Sequence, residues 1–376
     1  MLTEDQSLIR DTARAFARER LAPGAAARDQ AGTIEPGLLA EMGALGFLGM
    51  NVSPDFDGAG ADYVSYALAL MEVAAGDGAV STVMSVHNAP FNAILERFGS
   101  PDQKETVLRP AARGEFIGAF ALTEAQAGSD ASAIRTGARK VQGGYVLDGA
   151  KEFITSGRIG AQVIVFARME GNTGKAGITA FLVPTDTPGY VVARVEDKMG
   201  QRASDTCSLR LEGLELPDSA RIGAEGEGYR IALASLETGR IGIASQSVGM
   251  AQAALDLALA YARERRTFGQ PILSHQAVGF RLADLATQLE AARHLVLHAA
   301  RMKDAGLPCL TEAAMAKLFA SEAAERIVSG ALQTFGGMGY IRDTGIERIA
   351  RDVRVCQIYE GTSDIQKLII ARALAG

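Results

Sequence analysis

FIGAFALTEAQAGSD, residues 116–130, is where the chain changes character. Phe116 to Leu122 is a short apolar and aromatic run of the β type, and Thr123 to Asp130 is a turn of small and polar residues around Gly128. Before it, residues 1 to 115 read as helical. Thr3 with Gln6 makes a capping box ahead of Leu8, Ile9, Ala13, Phe16 and Ala17 at helical spacing. Ser100-Pro101-Asp102-Gln103 repeats the signal, with proline at the first helical position, where its missing N–H is tolerated. Between them NVSPDFDGAGAD (51–62) is a turn-rich loop. After it, further β runs stand at 145–147, 163–166, 178–183 and 208–211, separated by Gly, Asp, Pro and Asn, as in a small antiparallel barrel or sandwich. Beyond Gly228 helices return as long alanine-rich segments, roughly 228–264, 272–304, 311–335, 345–356 and 363–374, which suits a bundle. The expected fold is multidomain α+β: helical 1–115, β 116–224, and a four-helix-bundle domain 225–376.

Composition narrows the function. A net charge of −6 argues against nucleic acid as a main partner, because phosphate binding needs a basic surface. Hydrophobic residues at 48% and charged residues at 22% describe an ordinary globular protein. Cys207, Cys309 and Cys356 are odd in number and far apart, which offers neither a disulfide framework nor a CxxC site. The N-terminus is charged from Glu4 onward, without the apolar core of a signal segment. The longest uncharged run, 78–95, is broken by Ser, Asn, His and Pro and is too interrupted to span a membrane. The expected setting is the cytoplasm, with no membrane insertion.

The common nucleotide and metal motifs fail on context. Gly336-Gly337-Met338-Gly339 is near GxGxxG but follows a helix rather than a strand. No GxxxxGK[ST], GxSxG or HExxH is present. His294 and His298 have the spacing of metal ligands on a helix but lack a third ligand, so no metal is expected.

A second informative stretch is CQIYEGTSDIQ, residues 356–366. It sets one carboxylate, Glu360, between an aromatic ring and a Gly-Thr-Ser turn. An apolar helical run follows (Ile365, Leu368, Ile369, Ala371, Leu374). Thr362 or Ser363 can cap that helix and Asp364 suits its first turn.

FALTEAQAGSD (120–130), KEFIT (151–155), ETGR (237–240), RRTFG (265–269), QTFGGMGY (333–340) and YEGTSDIQ (359–366) occur in one order. Together they resemble the acyl-CoA dehydrogenase family along essentially the whole chain, closest to its short-chain and branched-chain members. The resemblance implies helical, β and helical-bundle domains, a homotetramer built as a dimer of dimers, and FAD bound without a Rossmann fold. It implies dehydrogenation of a short- or branched-chain acyl-CoA to the 2-enoyl-CoA, in fatty acid β-oxidation or branched-chain amino acid catabolism. Electrons would pass to an electron-transferring flavoprotein.

Residue roles follow from the same resemblance. Glu360 would abstract the α-proton and flavin N5 would accept the β-hydride. The Glu360 backbone N–H and a flavin ribityl hydroxyl would polarise the thioester carbonyl. Phe120, Leu122, Thr123, Gly128 and Ser129 would border the flavin and its pyrophosphate, with small side chains allowing close approach. Phe153 would pack on the ring where the family frequently has Trp, with Ile154 beside it and Thr155 hydrogen-bonding. Thr362, Ser363 and Asp364 would face the flavin. Arg265, Phe268 and Gln276, with Gln333, Gly336 and Gly337, would reach the FAD of a neighbouring subunit; arginine's planar fork suits pyrophosphate. Toward substrate stand Ser129, Tyr359 and Gly361. Glu237, where the family usually has Asp, would contact the CoA part together with Arg240. His87 and Phe91, one turn apart, would close the blind end of the acyl pocket, and Pro90 would bend the helix there. Some members carry their base at the position of Gly239, which has no side chain. An oxygen-using flavin oxidase or monooxygenase, a catalytically silent acyl-CoA-binding scaffold, and an acyl-carrier-protein thioester in place of CoA remain open at this point. Reoxidation in air, the colour of the protein and a thioester screen separate them.

Overall fold

The computed structural model describes residues 2–376. Its N-terminal helices start where the capping residues put them. Thr3 and Gln6 exchange both capping-box hydrogen bonds at the head of Glu4–Phe16, and Ser100 and Gln103 do so around Pro101. Asp62 caps Tyr63–Gly76, which is buried on nearly every side because it lies between the first helix and the C-terminal bundle. The next helix, Gly78–Val86, is capped by Asp77 and runs into a bend at Ala89 (φ −142°, ψ 105°). Ala89 precedes Pro90, whose ring excludes the helical conformation from its predecessor.

The middle zone is one eight-stranded sheet. Its strands are β1 (Gly118–Ala121), β2 (Gly137–Val141), β3 (Gly144–Thr155), β4 (Gln162–Met169), β5 (Ile178–Pro184), β6 (Tyr190–Val195), β7 (Thr206–Pro217) and β8 (Arg221–Ile222). The order is β6-β7-β3-β2-β4-β5-β8, with β1 also on β4. Most pairings are antiparallel, as the turn-separated runs predict. Two are not: β1 lies parallel to β4 from Gly118↔Gln162, and β2 lies parallel to it from Gly137↔Arg168. The two short strands share one edge of β4, end to end. β4 is covered on both faces, with Ile164 and Phe166 toward the N-terminal helices and Val163, Val165 and Ala167 inside the curled sheet. Its continuous apolar run is the signature of that two-sided burial. The curl brings Tyr145 of β3 edge-on to Phe181 of β5, 4.9 Å between centroids, although those strands are not neighbours.

After β8 the long helix Gly228–Glu264 leads into Gln276–Asp304, Leu310–Phe335, Ile346–Val353 and Ser363–Ala375. Small residues line the seams: Ala244, Ala251, Ala254 and Ala258 on the long helix, Ala316, Ala320 and Ala324 on Leu310–Phe335. They let the backbones approach while Leu285, Leu289, Ile327 and Val328 fill the space between. Burying each such branched side chain is worth about 1.5–3 kcal/mol. The same core continues into Val64, Ala67 and Met71 of the N-terminal region, so the first and third zones, separate in sequence, share one interior. Where all three zones meet, Arg28 and Asp77 form a buried ion pair at 2.8 Å.

Candidate active site

Glu360 stands in a backbone turn that a side chain seldom adopts. Its φ is +56° and that of Gly361 is +88°, two consecutive left-handed residues. A non-glycine residue held there costs on the order of 1–3 kcal/mol unless its surroundings fix it. Here they do. Lys317 Nζ donates to the carbonyls of Tyr359 (3.0 Å) and Gly361 (2.5 Å). Gln366 Nε2 donates to those of Glu360 (3.3 Å) and Gly361 (2.8 Å). All three carbonyls are therefore turned toward the Leu310–Phe335 helix and the start of the last helix. The Glu360 N–H has no acceptor among the described residues. Thr362 caps the last helix through Ile365 N–H, and the Oγ of Ser363 is covered with no partner.

The Glu360 carboxylate lies against the long helix. A Cβ at Gly239 would stand 2.4 Å from Oε2, so any larger residue would push the carboxylate away. Oε2 is covered and accepts no hydrogen bond. Burial pushes the Glu360 pKa up to about 7, against the charges of Arg240 and Lys317, which favour the ionised form without touching it. Arg240 is 5% exposed and its Nε has no partner. Burial lowers its pKa, opposed by Glu360 and Glu237. A carboxyl group poised near neutrality, with no protein donor on its free oxygen, is equipped to take a proton from a ligand.

The turn at 122–136 is tied to β3 beside this site. Glu124 accepts from the N–H groups of Arg135 and Thr136 and pairs with buried Lys151 at 2.7 Å. Burial opposes its charge, but Lys151 and these hydrogen bonds hold its pKa down to about 2. Lys151 also donates to Leu122 O, and Glu152 N–H to Thr123 O. Immediately after, β3 bulges: between Lys151↔Leu209 and Ile154↔Cys207, Glu152 and Phe153 share one partner position on β7. Such an extra residue re-aims a side chain. Phe153 takes φ +59° and is 66% exposed. Thr155 is half-buried at the strand's end, and Gly128 and Ser129 are exposed in the turn. Ile154 faces the sheet core, Leu122 is buried, and Phe120 packs on Phe166, so from these residues only backbone is on offer. A bare phenyl, an open glycine turn and the orphaned Ser363 hydroxyl fit the flat, hydrogen-bonding ring of a flavin.

A second group gathers at one end of the bundle. Tyr261 stacks on Phe335 at 4.4 Å, which brings the end of the long helix beside the end of Leu310–Phe335. Arg265, Phe268, Gln276, Gln333, Gly336 and Gly337 are all exposed here, on the turns that follow these ends, in the last turn of Leu310–Phe335 and at the helix start at Gln276. Phe268 is 96% exposed with φ +50°. Nothing in its own chain covers it.

Three expectations for substrate residues change. His87 and Phe91 are fully buried in the joint between the N-terminal helices and β1. His87 Nε2 meets Ala111 O at 2.9 Å, and its Nδ1 accepts from Gly118 N–H at 2.9 Å. Burial pushes its pKa down to about 4. The ring of Phe91 lies where a Cβ on Gly118 would be, only 2.2 Å away. These contacts tie both side chains into the joint between the N-terminal helices and β1. The Tyr359 side chain points into a buried polar cluster, its hydroxyl donating to Gln246 Oε1 at 3.2 Å. What it gives the site is its carbonyl. Glu237 pairs with Lys303 at 2.8 Å rather than with Arg240. The expected bend at Pro90 is present.

Several site residues escaped the sequence reading. Lys317 was detectable as a lysine within the apolar stripe Ala313, Ala316, Ala320 and Ala324. Gln366 ends the YEGTSDIQ motif but had no role assigned to it. Tyr66 and Ser85 close over Gly242, one turn beyond Gly239; a Cβ at Gly242 would come within 2.7 Å of Ser85 Oγ and 3.0 Å of the Tyr66 hydroxyl. His294 is paired with Glu290.

Family models for the acyl-CoA dehydrogenase N-terminal, middle and C-terminal domains match residues 3–115, 119–214 and 226–375. The short-chain specific mitochondrial acyl-CoA dehydrogenase of Bos taurus is 44% identical over 370 residues, 98% of this chain and 90% of its own. The butyryl-CoA dehydrogenase of Megasphaera elsdenii has a similar structure, with TM-score 0.98 at 39% identity over 100% of this chain and 99% of that one. A chain in the structure described as the electron transferring flavoprotein of Acidaminococcus fermentans gives TM-score 0.98 at 42% identity, covering 100% and 98%. Domains matched nearly end to end, on a fold that sets a carboxylate with one covered, unpartnered oxygen against a glycine of the long helix, make this chain a member of the acyl-CoA dehydrogenase family.

Proposed function

We propose that the protein is an FAD-dependent dehydrogenase of short-chain acyl-CoA thioesters, with Glu360 as the base. The observation that carries this reading is the Glu360 carboxylate: covered, free of hydrogen-bond donors on Oε2, and laid against Gly239. Removing the α-proton of a thioester requires a base and a polarised carbonyl. The carboxylate takes the proton, and the unbonded Glu360 N–H faces the carbonyl oxygen as its charge builds. Bound FAD supplies the acceptor for the β-hydrogen as hydride, which leaves the Cα–Cβ double bond of the 2-enoyl thioester. Phe153, Thr155, Ser363 and the 122–129 backbone are the groups that would hold the ring. Arg240 offers its unpaired guanidinium to the substrate.

The division 1–115, 116–224 and 225–376, the homotetramer and the cytoplasmic setting belong to the same proposal. So do electron transfer to an electron-transferring flavoprotein and a place in fatty acid or branched-chain catabolism. The bare Phe268 and its exposed neighbours favour a subunit interface that completes the cofactor site. The similarity to a chain in an electron-transferring flavoprotein structure supports that partner. No helix among the described residues is long and apolar enough to cross a membrane.

The test is a screen of acyl-CoAs for bleaching of bound flavin, repeated with Glu360→Gln. The amide keeps the shape and removes the basicity. Turnover should fall by about 10²–10⁴-fold while FAD stays bound, and deuterium wash-in at Cα should stop. Undiminished wash-in in Glu360→Gln would reassign the base.

A further inference from the structure

We propose that Lys317 is a positioning residue for catalysis that strengthens the Glu360 N–H as a hydrogen-bond donor to the substrate carbonyl. This rests on the reading of that N–H as part of the oxyanion site. The Lys317 side chain is 0% exposed, reaches in from the Leu310–Phe335 helix and forms no ion pair with any carboxylate among the described residues. Its ammonium group is spent on two backbone carbonyls that flank Glu360. One of them, Tyr359 C=O, belongs to the same peptide unit as the Glu360 N–H. A cation on the oxygen of an amide draws electron density toward that oxygen and makes the N–H at the other end more acidic. The chain of contacts is therefore ammonium to carbonyl, through one peptide bond, to the N–H that meets the thioester oxygen. Linked hydrogen bonds polarise one another in this way, most where water is excluded. The second bond, to Gly361 C=O, together with those of Gln366, fixes the left-handed pair so that the N–H cannot swing away.

The position explains a costly choice. A buried lysine is expensive unless its charge is used, and burial lowers the Lys317 pKa to about 8, with Cys356 and Glu360 acting in the opposite sense and Arg240 in the same one. Gln366 shows that a neutral amide can hold carbonyls of the same turn. The charge is what a neutral donor would lack.

The experiment compares wild type with Lys317→Met and Lys317→Gln as FAD-loaded enzymes. Gln keeps a neutral donor and Met keeps only bulk. Carbonyl-labelled crotonyl-CoA is bound and its C=O stretch recorded by difference infrared spectroscopy, alongside kcat and KM for butyryl-CoA. In wild type the band moves to lower wavenumber on binding. In both variants the displacement should be clearly smaller and kcat should fall by about 10–100-fold, less than the loss of a whole oxyanion donor, with KM changed by about threefold or less. If the Gln variant shows the wild-type band and kcat, hydrogen bonding without charge suffices and the proposal is wrong. Failure of both variants to fold assigns Lys317 to the scaffold and overturns it as well. A wild-type band that does not move on binding contradicts the reading of the Glu360 N–H itself, a separate failure.

Discussion

Glu360 and Phe268 are both non-glycine residues in left-handed backbone, yet their surroundings are opposite. The Glu360 turn is closed by its own chain: Lys317 and Gln366 hold its carbonyls and the long helix covers its carboxylate. Phe268 is almost wholly bare, and its companions Arg265, Gln276 and Gln333 are exposed. A strained residue persists only if something over-determines it. For Glu360 that something is intramolecular. For Phe268 it is the tight hairpin that pairs Thr267 with Gln270 and Arg266 with Pro271, which fixes the backbone and leaves the side chain uncovered.

The sharpest way to break the Glu360 half of this contrast is Gly239→Ala. In an exposed helix interior that change stabilises by about 1 kcal/mol. Here the new methyl would stand 2.4 Å from Oε2. The carboxylate must move, and a displacement of about 1 Å costs on the order of 10²-fold in rate. The variant should fold, bind FAD and melt within a few degrees of wild type, yet turn over about a hundredfold more slowly. Rate and stability that fall together would place Gly239 in simple packing.

The exposed half is tested by Arg265→Ala. Loss of FAD should increase roughly tenfold, the effect of about 1.4 kcal/mol, and should worsen on dilution as subunits part. Gel filtration and flavin absorbance follow both. Unchanged retention at every concentration would mean that Arg265 faces solvent in the assembly.

The fold was largely readable because its signals are local. Capping boxes at Thr3 and Ser100 and the apolar run of β4 each report on neighbours in sequence. The two parallel pairings on β4 were not readable, since a short strand carries no mark of its partner's direction. The site divides in the same way. Glu360 is conspicuous in its motif, whereas Lys317 acts from 43 residues away through backbone carbonyls that every residue has. Ser85 and Tyr66 reach the long helix through packing alone. The contacts of His87 and Phe91 with Ala111 and Gly118 were not readable either, because helical spacing shows which residues share a face and not what that face meets.

The ionisation of Glu360 gives a smaller, graded effect. Its folded-state pKa, raised to about 7 from 4.5, favours the protonated form. The stability this contributes is full below pH 4.5 and is lost as pH rises through about 7, an amount of up to about 3 kcal/mol. Glu360→Gln, which cannot ionise, should therefore be more stable than wild type at pH 8 and about equal at pH 4. For the wild type kcat/KM should climb about tenfold per pH unit below 7 and level off above it, as the base loses its proton. Arg240 and Lys317, the cations acting on the carboxylate, set how far the midpoint falls below that of burial alone. Thermal melts at the two pH values and a rate profile check both halves.

The least effect is expected from a single hydroxyl. If the acyl chain lies along the long helix from Gly239, Tyr66 and Ser85 over Gly242 stand one helical turn on and would limit its length to about four to six carbons. The Tyr66 hydroxyl is buried with no partner meeting hydrogen-bond geometry. Tyr66→Phe removes that unsatisfied group and adds little space. Stability should hold or rise by about 1 kcal/mol, and preference should move toward one more carbon by roughly tenfold at most, since one methylene is worth about 1–3 kcal/mol in a filled pocket. Phe91→Leu is the counterpart: it loosens the joint over Gly118 and should lower the melting temperature without moving the chain-length optimum. An optimum that shifts with Phe91 and not with Tyr66 would return the pocket end to the bent helix. A wild-type preference for twelve-carbon substrates would remove Tyr66 and Ser85 from the role altogether.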